Sequence, residues 1–238
     1  MNLLSTICAR AGSKGLKGKN TSDFLGKPLC YWTLAVYDYF VKQHPEHNCR
    51  LALNTDSQLL LEQVKGYGIP FEFIERTQEL AGDLIAKIDV LKDTLCKVGL
   101  GYDLLVDLDL TSPLRTAEDI HGVIKTAVEN EKADGAFSVT TARRSPFFNQ
   151  VQKTSDGFYR PVIASHLVAR QQAPEVFDMN ASIYVFKASF LTKNIKSMFD
   201  GNMLAYVMED TAVLDIDSQH DKDLMEIIAK HWWNRHNR

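Results

Sequence analysis

The apolar stretch Leu3-Leu4-Ser5-Thr6-Ile7-Cys8-Ala9 runs straight into Arg10-Ala11-Gly12-Ser13-Lys14-Gly15-Leu16-Lys17-Gly18-Lys19-Asn20. A short apolar run closed by a glycine-rich turn signal reads as a buried strand followed by a loop. The same rhythm then repeats. Leu29–Val41 reads as a helix, with Pro28 at its start, where a missing N–H costs little. Arg50–Thr55 reads as a strand, Gln58–Gly66 as a helix and Phe71–Ile74 as a strand. Ile85–Val98 has helical spacing, Tyr102–Leu110 is strand-like, Ala117–Glu131 is helical and Gly135–Thr141 is a strand. Strand and helix in alternation predict an α/β fold, with a parallel sheet covered on both faces. Ligands of such sheets bind at the carboxyl ends of the strands. The loops after Ala9, Thr55, Leu110 and Thr141 are therefore the places to look for a site.

The remainder departs from this rhythm. From Ala142 to Asn180 the chain is polar and irregular, which suggests an excursion from the sheet: a flap, a dimerisation arm or a long surface loop. Ser182–Phe186 resumes a strand, Ala205–Val207 is a candidate for another, and His220–Trp233 reads as a closing helix. At roughly 100–200 residues per domain, 238 residues suit a single domain spanning 1–238. An apolar share of 45% excludes a disordered chain. Lysine and arginine total 27 against 30 acidic residues, a formal charge of −3, so no broad basic face for nucleic acid is expected and any anion site is local. The four cysteines form no CxxC pair, which argues against a disulfide framework or a cysteine zinc site. No apolar run approaches the roughly 18 residues of a membrane span. The start lacks a basic leader, so no signal peptide and a cytoplasmic location are expected.

Four stretches carry candidate chemistry. In the first loop, glycines let backbone N–H groups approach an anion, and Arg10, Lys14, Lys17 and Lys19 add positive charge, which suits a polyphosphate. The loop is neither GxGxxG nor GxxxxGK[ST]; a plain solvated basic loop is the alternative. In Asp215-Ile216-Asp217, alternation along a strand end would put both carboxylates on one side, where hard oxygens suit Mg²⁺; an acidic turn before a helix, capped by Asp217 or Ser218, is the alternative. In Asp107-Leu108-Asp109-Leu110-Thr111-Ser112-Pro113-Leu114-Arg115, acids lie within an apolar strand, and a buried carboxylate needs a partner. This makes Asp109 a candidate ligand, unless both acids face solvent from an edge strand. The run from Glu75-Arg76 to Asp83, with Lys87 behind it, offers Arg76 to a phosphate or base carbonyl; a charged loop is the alternative. No Ser-His-Asp or HExxH arrangement is evident among the histidines.

Together these stretches resemble the bacterial CMP-nonulosonate synthetases, the acylneuraminate cytidylyltransferase family. Cys8-Ala9-Arg10-Ala11-Gly12-Ser13-Lys14-Gly15, ending in Lys19-Asn20, looks like the family's nucleotide loop, and Asn54-Thr55-Asp56-Ser57 like its STDS segment. Glu75-Arg76 through Glu79-Leu80-Ala81 to Asp83, then Thr111-Ser112-Pro113-Leu114-Arg115, then Arg170-Gln171-Gln172 through Pro174 to Asn180, and last Leu214-Asp215-Ile216-Asp217 follow in the family's order. The resemblance implies a Rossmann-like, mostly parallel α/β domain with a small arm that builds a homodimer. It implies transfer of CMP from CTP to the anomeric hydroxyl of a nine-carbon 2-keto sugar acid, with release of pyrophosphate. By position, Arg10, Ser13, Lys19 and Asn20 would hold the triphosphate, Arg76 and Asp83 would lie beside the nucleotide with Asp109, and Asp215 and Asp217 would hold Mg²⁺. Arg10, Lys19 and Asp217 would serve the chemical step; Asp217 or a metal-bound hydroxide would take the sugar's proton. Lys87, Ser112, Phe148, Asn149, Arg170, Gln171, Gln172 and Asn180 would face the sugar.

Departures from the sialic acid members cluster on that sugar side. Asp109-Leu110 stands where many have Gln-Pro, Lys87 where a serine is common, and Phe148 where a lysine often follows His-Pro. Arg144-Ser145-Pro146-Phe147-Phe148-Asn149 and Lys87-Ile88 look more like the legionaminic acid branch. Phe148 would cover an acetamido methyl or a deoxy carbon, where a lysine would meet a hydroxyl or carboxylate. The expected sugar is N,N′-diacetyllegionaminic acid rather than sialic acid. A non-catalytic nucleotide-sugar-binding protein of the same fold is the alternative from another class. A dehydrogenase would need the absent GxGxxG, and a Kdo-specific synthetase would lack the SKG…KN loop.

Overall fold

The computed structural model describes residues 1–12, 15–167 and 169–236. Strands β1 (Asn2–Cys8), β4 (Asn48–Thr55), β5 (Glu72–Glu75), β6 (Leu104–Leu108), β7 (Gly135–Thr141), β10 (Phe177–Lys187) and β11 (Met203–Val207) form one seven-stranded sheet in the order β11-β7-β10-β6-β1-β4-β5. A tight hairpin, β2 (Asp23–Phe24) with β3 (Lys27–Pro28), and an outlying hairpin, β8 (Val151–Lys153) with β9 (Tyr159–Pro161), stand apart from it. Helices α1 (Leu29–Gln43), α2 (Gln58–Tyr67), α3 (Lys87–Val98), α4 (Ala117–Glu129), a short α5 (Ala188–Leu191) and α6 (Gln219–His236) complete the chain. Among the described residues no helix is long and apolar enough to cross a membrane.

The sheet is covered on both faces because successive residues of a strand point opposite ways. From β1, Leu3 and Ile7 enter a core with Leu34 and Phe40 of α1, Leu60 and Val64 of α2 and Val123 of α4. Leu4 enters a second core with Leu91 and Leu95 of α3 and Phe190 and Leu191 of α5. A third cluster seats α6, through Met225, Ala229 and Trp232, against Phe24, Leu29, Leu114 and Ile216. Two helix starts are fixed by side chains: Ser57 accepts the Leu60 N–H, and Thr116 and Asp119 form a reciprocal capping box.

Pairing is parallel for β1 with β4 and β6, for β4 with β5 and for β7 with β11. The exception is β10, antiparallel to both β6 and β7 at the middle of the sheet. Its extent corrects the sequence reading: β10 starts at Phe177, so the excursion ends before Asn180 and the last part of it belongs to the sheet. Nor is the excursion irregular throughout, because it carries the β8–β9 hairpin. The register of β10 on β7 shifts between Met179 and Tyr184, and Ala181 within that bulge has φ +51°, a left-handed conformation that is costly for a residue with a Cβ. Asp215-Ile216-Asp217 lies on no strand; it is an extended loop between a 3₁₀ turn (Asp210–Val213) and α6. The helix reading over Ile85–Val98 loses its first residues to a turn, since Ile85 N–H bonds back to Gly82 and α3 starts at Lys87.

Candidate active site

A cleft of about 450 Å³ opens at the carboxyl ends of β1, β5 and β6. Its lining includes Ala9, Arg10, Gly15, Lys19, Asn20, Arg76, Asp83, Lys87, Asp109, Asp215 and Asp217. The structure thus gathers onto one wall system residues more than two hundred positions apart in the chain.

The first loop forms its rim. Beyond β1 the ladder continues for one bond, Ala9 N–H to Asn54 C=O at 3.1 Å, and then the chain turns away. Ala11 N–H is held by the Asp56 carboxylate at 2.7 Å, and the Asn20 amide closes the loop onto the Arg10 carbonyl at 3.0 Å. Gly18 takes φ +67° and starts a 3₁₀ turn, Lys19–Thr21, which aims Lys19 into the cleft. Gly15 is needed for a different reason: a Cβ there would sit 2.2 Å from the Asp217 carbonyl oxygen. The 2.8 Å bond from Leu16 N–H to the same oxygen fastens the loop to the Asp215–Asp217 segment. Ser13 lies outside the described residues.

Across the rim, Arg10 and Lys19 each face an anion. Arg10 reaches Asp83 at 2.5 Å and the Ala81 carbonyl at 3.2 Å. Lys19 reaches Asp217 at 2.6 Å. Ile216 is fully buried and its N–H bonds to the Thr111 carbonyl at 2.9 Å, so its neighbours Asp215 and Asp217 both turn to the cleft. Alternation along an extended segment achieves here what was expected of a strand end. Burial, and next the charge of Asp217, raise the Asp215 carboxyl above its ordinary pKa. Two crowded carboxylates with hard oxygen donors fit a divalent cation of the Mg²⁺ kind, the more so when phosphate oxygens complete the shell. Ser218 rather than Asp217 caps α6, exchanging bonds with Asp221.

The cleft floor is a buried charge network. Lys87 donates to Asp107 at 2.9 Å and to Asp109 at 2.8 Å, and its ammonium lies 4.7 Å from the centre of the Tyr184 ring. Asp107 also accepts from Thr6 at 2.8 Å, and Asp109 from the Thr111 N–H and hydroxyl at 3.1 and 2.9 Å. Asp107 sits on the central strand β6 and Asp109 just past its carboxyl end, not on a solvent-facing edge. Burial opposes ionisation of Asp109, but Lys87 and the Thr111 bonds outweigh it and hold the carboxyl far below the usual range. Burial likewise opposes the Lys87 charge, and Asp107 and Asp109 overcome it, leaving the ammonium well above its ordinary value. Arg76 is buried and clamped by the Asn54 side chain at 2.8 Å and carbonyl at 3.2 Å; Asn54 in turn donates to Thr94 at 2.8 Å. Burial pushes the Cys8 thiol up to about 12.

Other expected residues fall elsewhere. Ser112 and Asn180 are buried behind the cleft wall: Ser112 donates to the Asn180 carbonyl at 3.1 Å, and the Asn180 amide accepts from Ser138 at 2.6 Å. It is the neighbouring Ala181 that lines the cleft. Phe148 and Asn149 lie in the excursion; Asn149 is exposed and accepts the Ser145 N–H at 2.7 Å. Gln171 and Gln172 are exposed on a 3₁₀ turn that begins at Arg170, whose side chain is outside the described set. None of these four lines the cleft of a single chain. Sequence reasoning missed Arg115 as the structural keystone. It is 1% exposed and donates to the Ser182 carbonyl at 2.6 Å, to the Asp109 carbonyl and to Thr33 at 3.3 Å, tying β6 to β10 beneath the site. Burial lowers its pKa to about 10, which leaves it charged at neutral pH.

A doubly covered α/β sheet, a glycine-rich basic loop after its first strand and a carboxylate pair facing that loop define a protein that handles a polyphosphate. Residues 5–192 match the family model described as Cytidylyltransferase, and the chain belongs to that family. It is 33% identical to the post-translational flagellin modification protein B of Campylobacter coli, over 96% of this chain and 95% of that protein. It is also 33% identical to the CMP-N,N′-diacetyllegionaminic acid synthase of Campylobacter jejuni, over 95% of this chain and 94% of that one. Among solved structures, a CMP:2-keto-3-deoxy-manno-octonic acid synthetase complexed with CTP superposes with a TM-score of 0.68. That match covers 97% of this chain and 99% of the other at 15% identity, a likeness of fold.

Proposed function

We propose that the protein transfers CMP from CTP to the anomeric hydroxyl of an N,N′-diacetylated nine-carbon 2-keto sugar acid, releasing pyrophosphate. One observation carries the reading: Arg10, Lys19 and Asn20 on the loop after β1 converge with Asp215 and Asp217 on one cleft. The 33% identity to a CMP-N,N′-diacetyllegionaminic acid synthase supports the choice of sugar. The alternative of a non-catalytic binder would have no use for the carboxylate pair opposite the loop.

In this reading the triphosphate lies along the loop, and Arg10 and Lys19 exchange Asp83 and Asp217 for phosphate oxygens. The sugar's anomeric oxygen attacks the α-phosphorus, and the bond to the pyrophosphate oxygen breaks. Negative charge grows on the nonbridging and leaving oxygens, where Lys19, Arg10 and loop N–H groups stabilise it. Asp215 and Asp217 would hold Mg²⁺, which when bound supplies further positive charge to those oxygens. Asp217 is the carboxylate we assign to receive the proton that the anomeric hydroxyl loses. Arg76, held rigid by Asn54, lies beside the nucleotide with Asp83, and the Lys87–Asp109 pair forms the floor.

We assign Phe148, Asn149, Arg170, Gln171 and Gln172 to the sugar side, which requires the excursion to close over the cleft or a second chain to present it. The β8–β9 hairpin exposes Val151, Phe158, Tyr159, Val162 and Ile163, an apolar surface that suits a homodimer arm. We place the reaction in the cytoplasm, where CTP is made.

The test is pyrophosphate release from CTP and Mg²⁺ with sialic, N,N′-diacetyllegionaminic, pseudaminic and Kdo acids in parallel. Turnover is expected with N,N′-diacetyllegionaminic acid foremost. CTP binding without turnover on any of the sugars contradicts the proposal.

A further inference from the structure

At the end of the sheet opposite the cleft, the chain leaves α1 through His44-Pro45-Glu46-His47 and enters β4. The four residues form a closed turn. His44 N–H caps the helix onto the Phe40 carbonyl at 3.0 Å, and His47 N–H returns to the His44 carbonyl at 3.1 Å. Pro45 occupies the second position, where its fixed φ presets such a turn. Asn48 N–H then joins the Met1 carbonyl at 2.9 Å, which anchors the turn to the edge of β1.

This rigid turn brings potential ligands together. His44 Nδ1 lies 3.0 Å from Glu46 Oε1, and His47 Nε2 lies 3.6 Å from the same oxygen. One ligand atom from each of the three residues falls within 4.8 Å of the others. Ligands held at 2.0–2.2 Å around a tetrahedral ion stand about 3.4 Å apart, so small side-chain shifts would close the set. The His47 side chain is 10% exposed, and its Nδ1 has no hydrogen-bond partner among the described residues. His121 of α4 stacks on His44, ring centres 4.4 Å apart and planes within 5°, and fixes that imidazole's plane. Its own buried Nδ1 is also unpartnered.

We propose that His44, Glu46 and His47 form a binding site for one borderline divalent transition ion, with Zn²⁺ the best match, separate from the catalytic cleft. Two imidazoles and one carboxylate suit zinc and exclude magnesium, which demands oxygen donors. Three protein ligands leave a position for water. The carbonyl end of α1 adds negative potential favourable to a cation. A bound ion would clip the exit of α1 to the start of β4 and stabilise the folded chain by linkage.

The test is calorimetric titration of Zn²⁺ into the full chain, stripped with chelator and then kept in excess Mg²⁺. One zinc per chain is expected. His44→Ala and His47→Ala should each weaken binding by at least about tenfold, since even outer partners of metal ligands have effects of that size. His121→Phe, which keeps the stack without the nitrogens, and Asp217→Ala, in the cleft, should both bind zinc as the parent does. Circular dichroism of each variant verifies folding. No zinc uptake, equal uptake in both histidine-to-alanine variants, or loss in Asp217→Ala instead, each overturns the proposal.

Discussion

Replacing Lys87 by methionine tests the cleft floor. The ammonium bridges Asp107, 1% exposed, and Asp109, 22% exposed, while the lysine side chain itself is 36% exposed on the cleft side. Removing one partner of a buried ion pair typically destabilises by about 3–5 kcal/mol, because the other charge is left unpaired. Solvent reaches this lysine through the cleft and screens part of the effect, so about 2–3 kcal/mol is expected. For a chain of this size that is a fall of roughly 5–10 °C in Tm. The pH dependence distinguishes charge from packing. Asp109 is held far below the usual carboxylate range, so its pairing contributes stability above the unfolded value of about 3.9 and loses it as pH falls through the folded value. Lys87→Met removes that depression. The stability gap between parent and variant should stay full from pH 7 down to about pH 5 and shrink as pH falls below about 4, toward the folded value. Urea denaturation across that range measures it. A gap independent of pH, or smaller than about 0.5 kcal/mol at neutrality, would refute the charge-network account.

Three further outcomes follow from the geometry. Ala181 holds φ +51°, at about 1–2 kcal/mol for a residue with a Cβ; Ala181→Gly relieves that but frees the unfolded chain, for a net gain of about 0.5–1 kcal/mol, seen as a raised urea midpoint at constant slope. Gly15→Ala forces a Cβ to 2.2 Å from the Asp217 carbonyl and should cut turnover on CTP by at least about tenfold while shifting Tm little; parent-like kinetics would show the loop is not fastened there. Lys19→Ala should lower turnover or raise the CTP requirement by about tenfold or more, with the Mg²⁺-dependent rate as the readout; an unchanged CTP response removes Lys19 from the triphosphate site.

Much of the architecture is legible in the chain. Apolar runs of strand length, separated by helix-period segments, predict the parallel core, and the loop after Ala9 points to the cleft. Strand direction was not legible, because an apolar run reads the same both ways; β10, antiparallel and central, is visible only in its pairing. The β8–β9 hairpin did carry a signal, Asp156-Gly157 between two strand-prone segments, with Gly157 at φ +87°. In the site, Asp215 and Asp217 were readable by simple alternation, since burying Ile216 turns both outward. The partnership of Lys87 with Asp107 and Asp109 joins α3 to β6 and to the residue just past it, and local patterning cannot show it. Arg115 was hidden for a similar reason: nothing in Thr111-Ser112-Pro113-Leu114-Arg115 announces that its charge is buried against the carbonyls of Ser182 on β10 and of Asp109.

The most direct test of the central claim follows the α-phosphorus. CTP labelled at that atom, incubated with the protein, Mg²⁺ and N,N′-diacetyllegionaminic acid, should pass its label into a CMP-linked sugar, leaving the released pyrophosphate unlabelled. Label that remains in CTP, or that appears only in free CMP with the sugar unchanged, contradicts transfer to the sugar by this cleft.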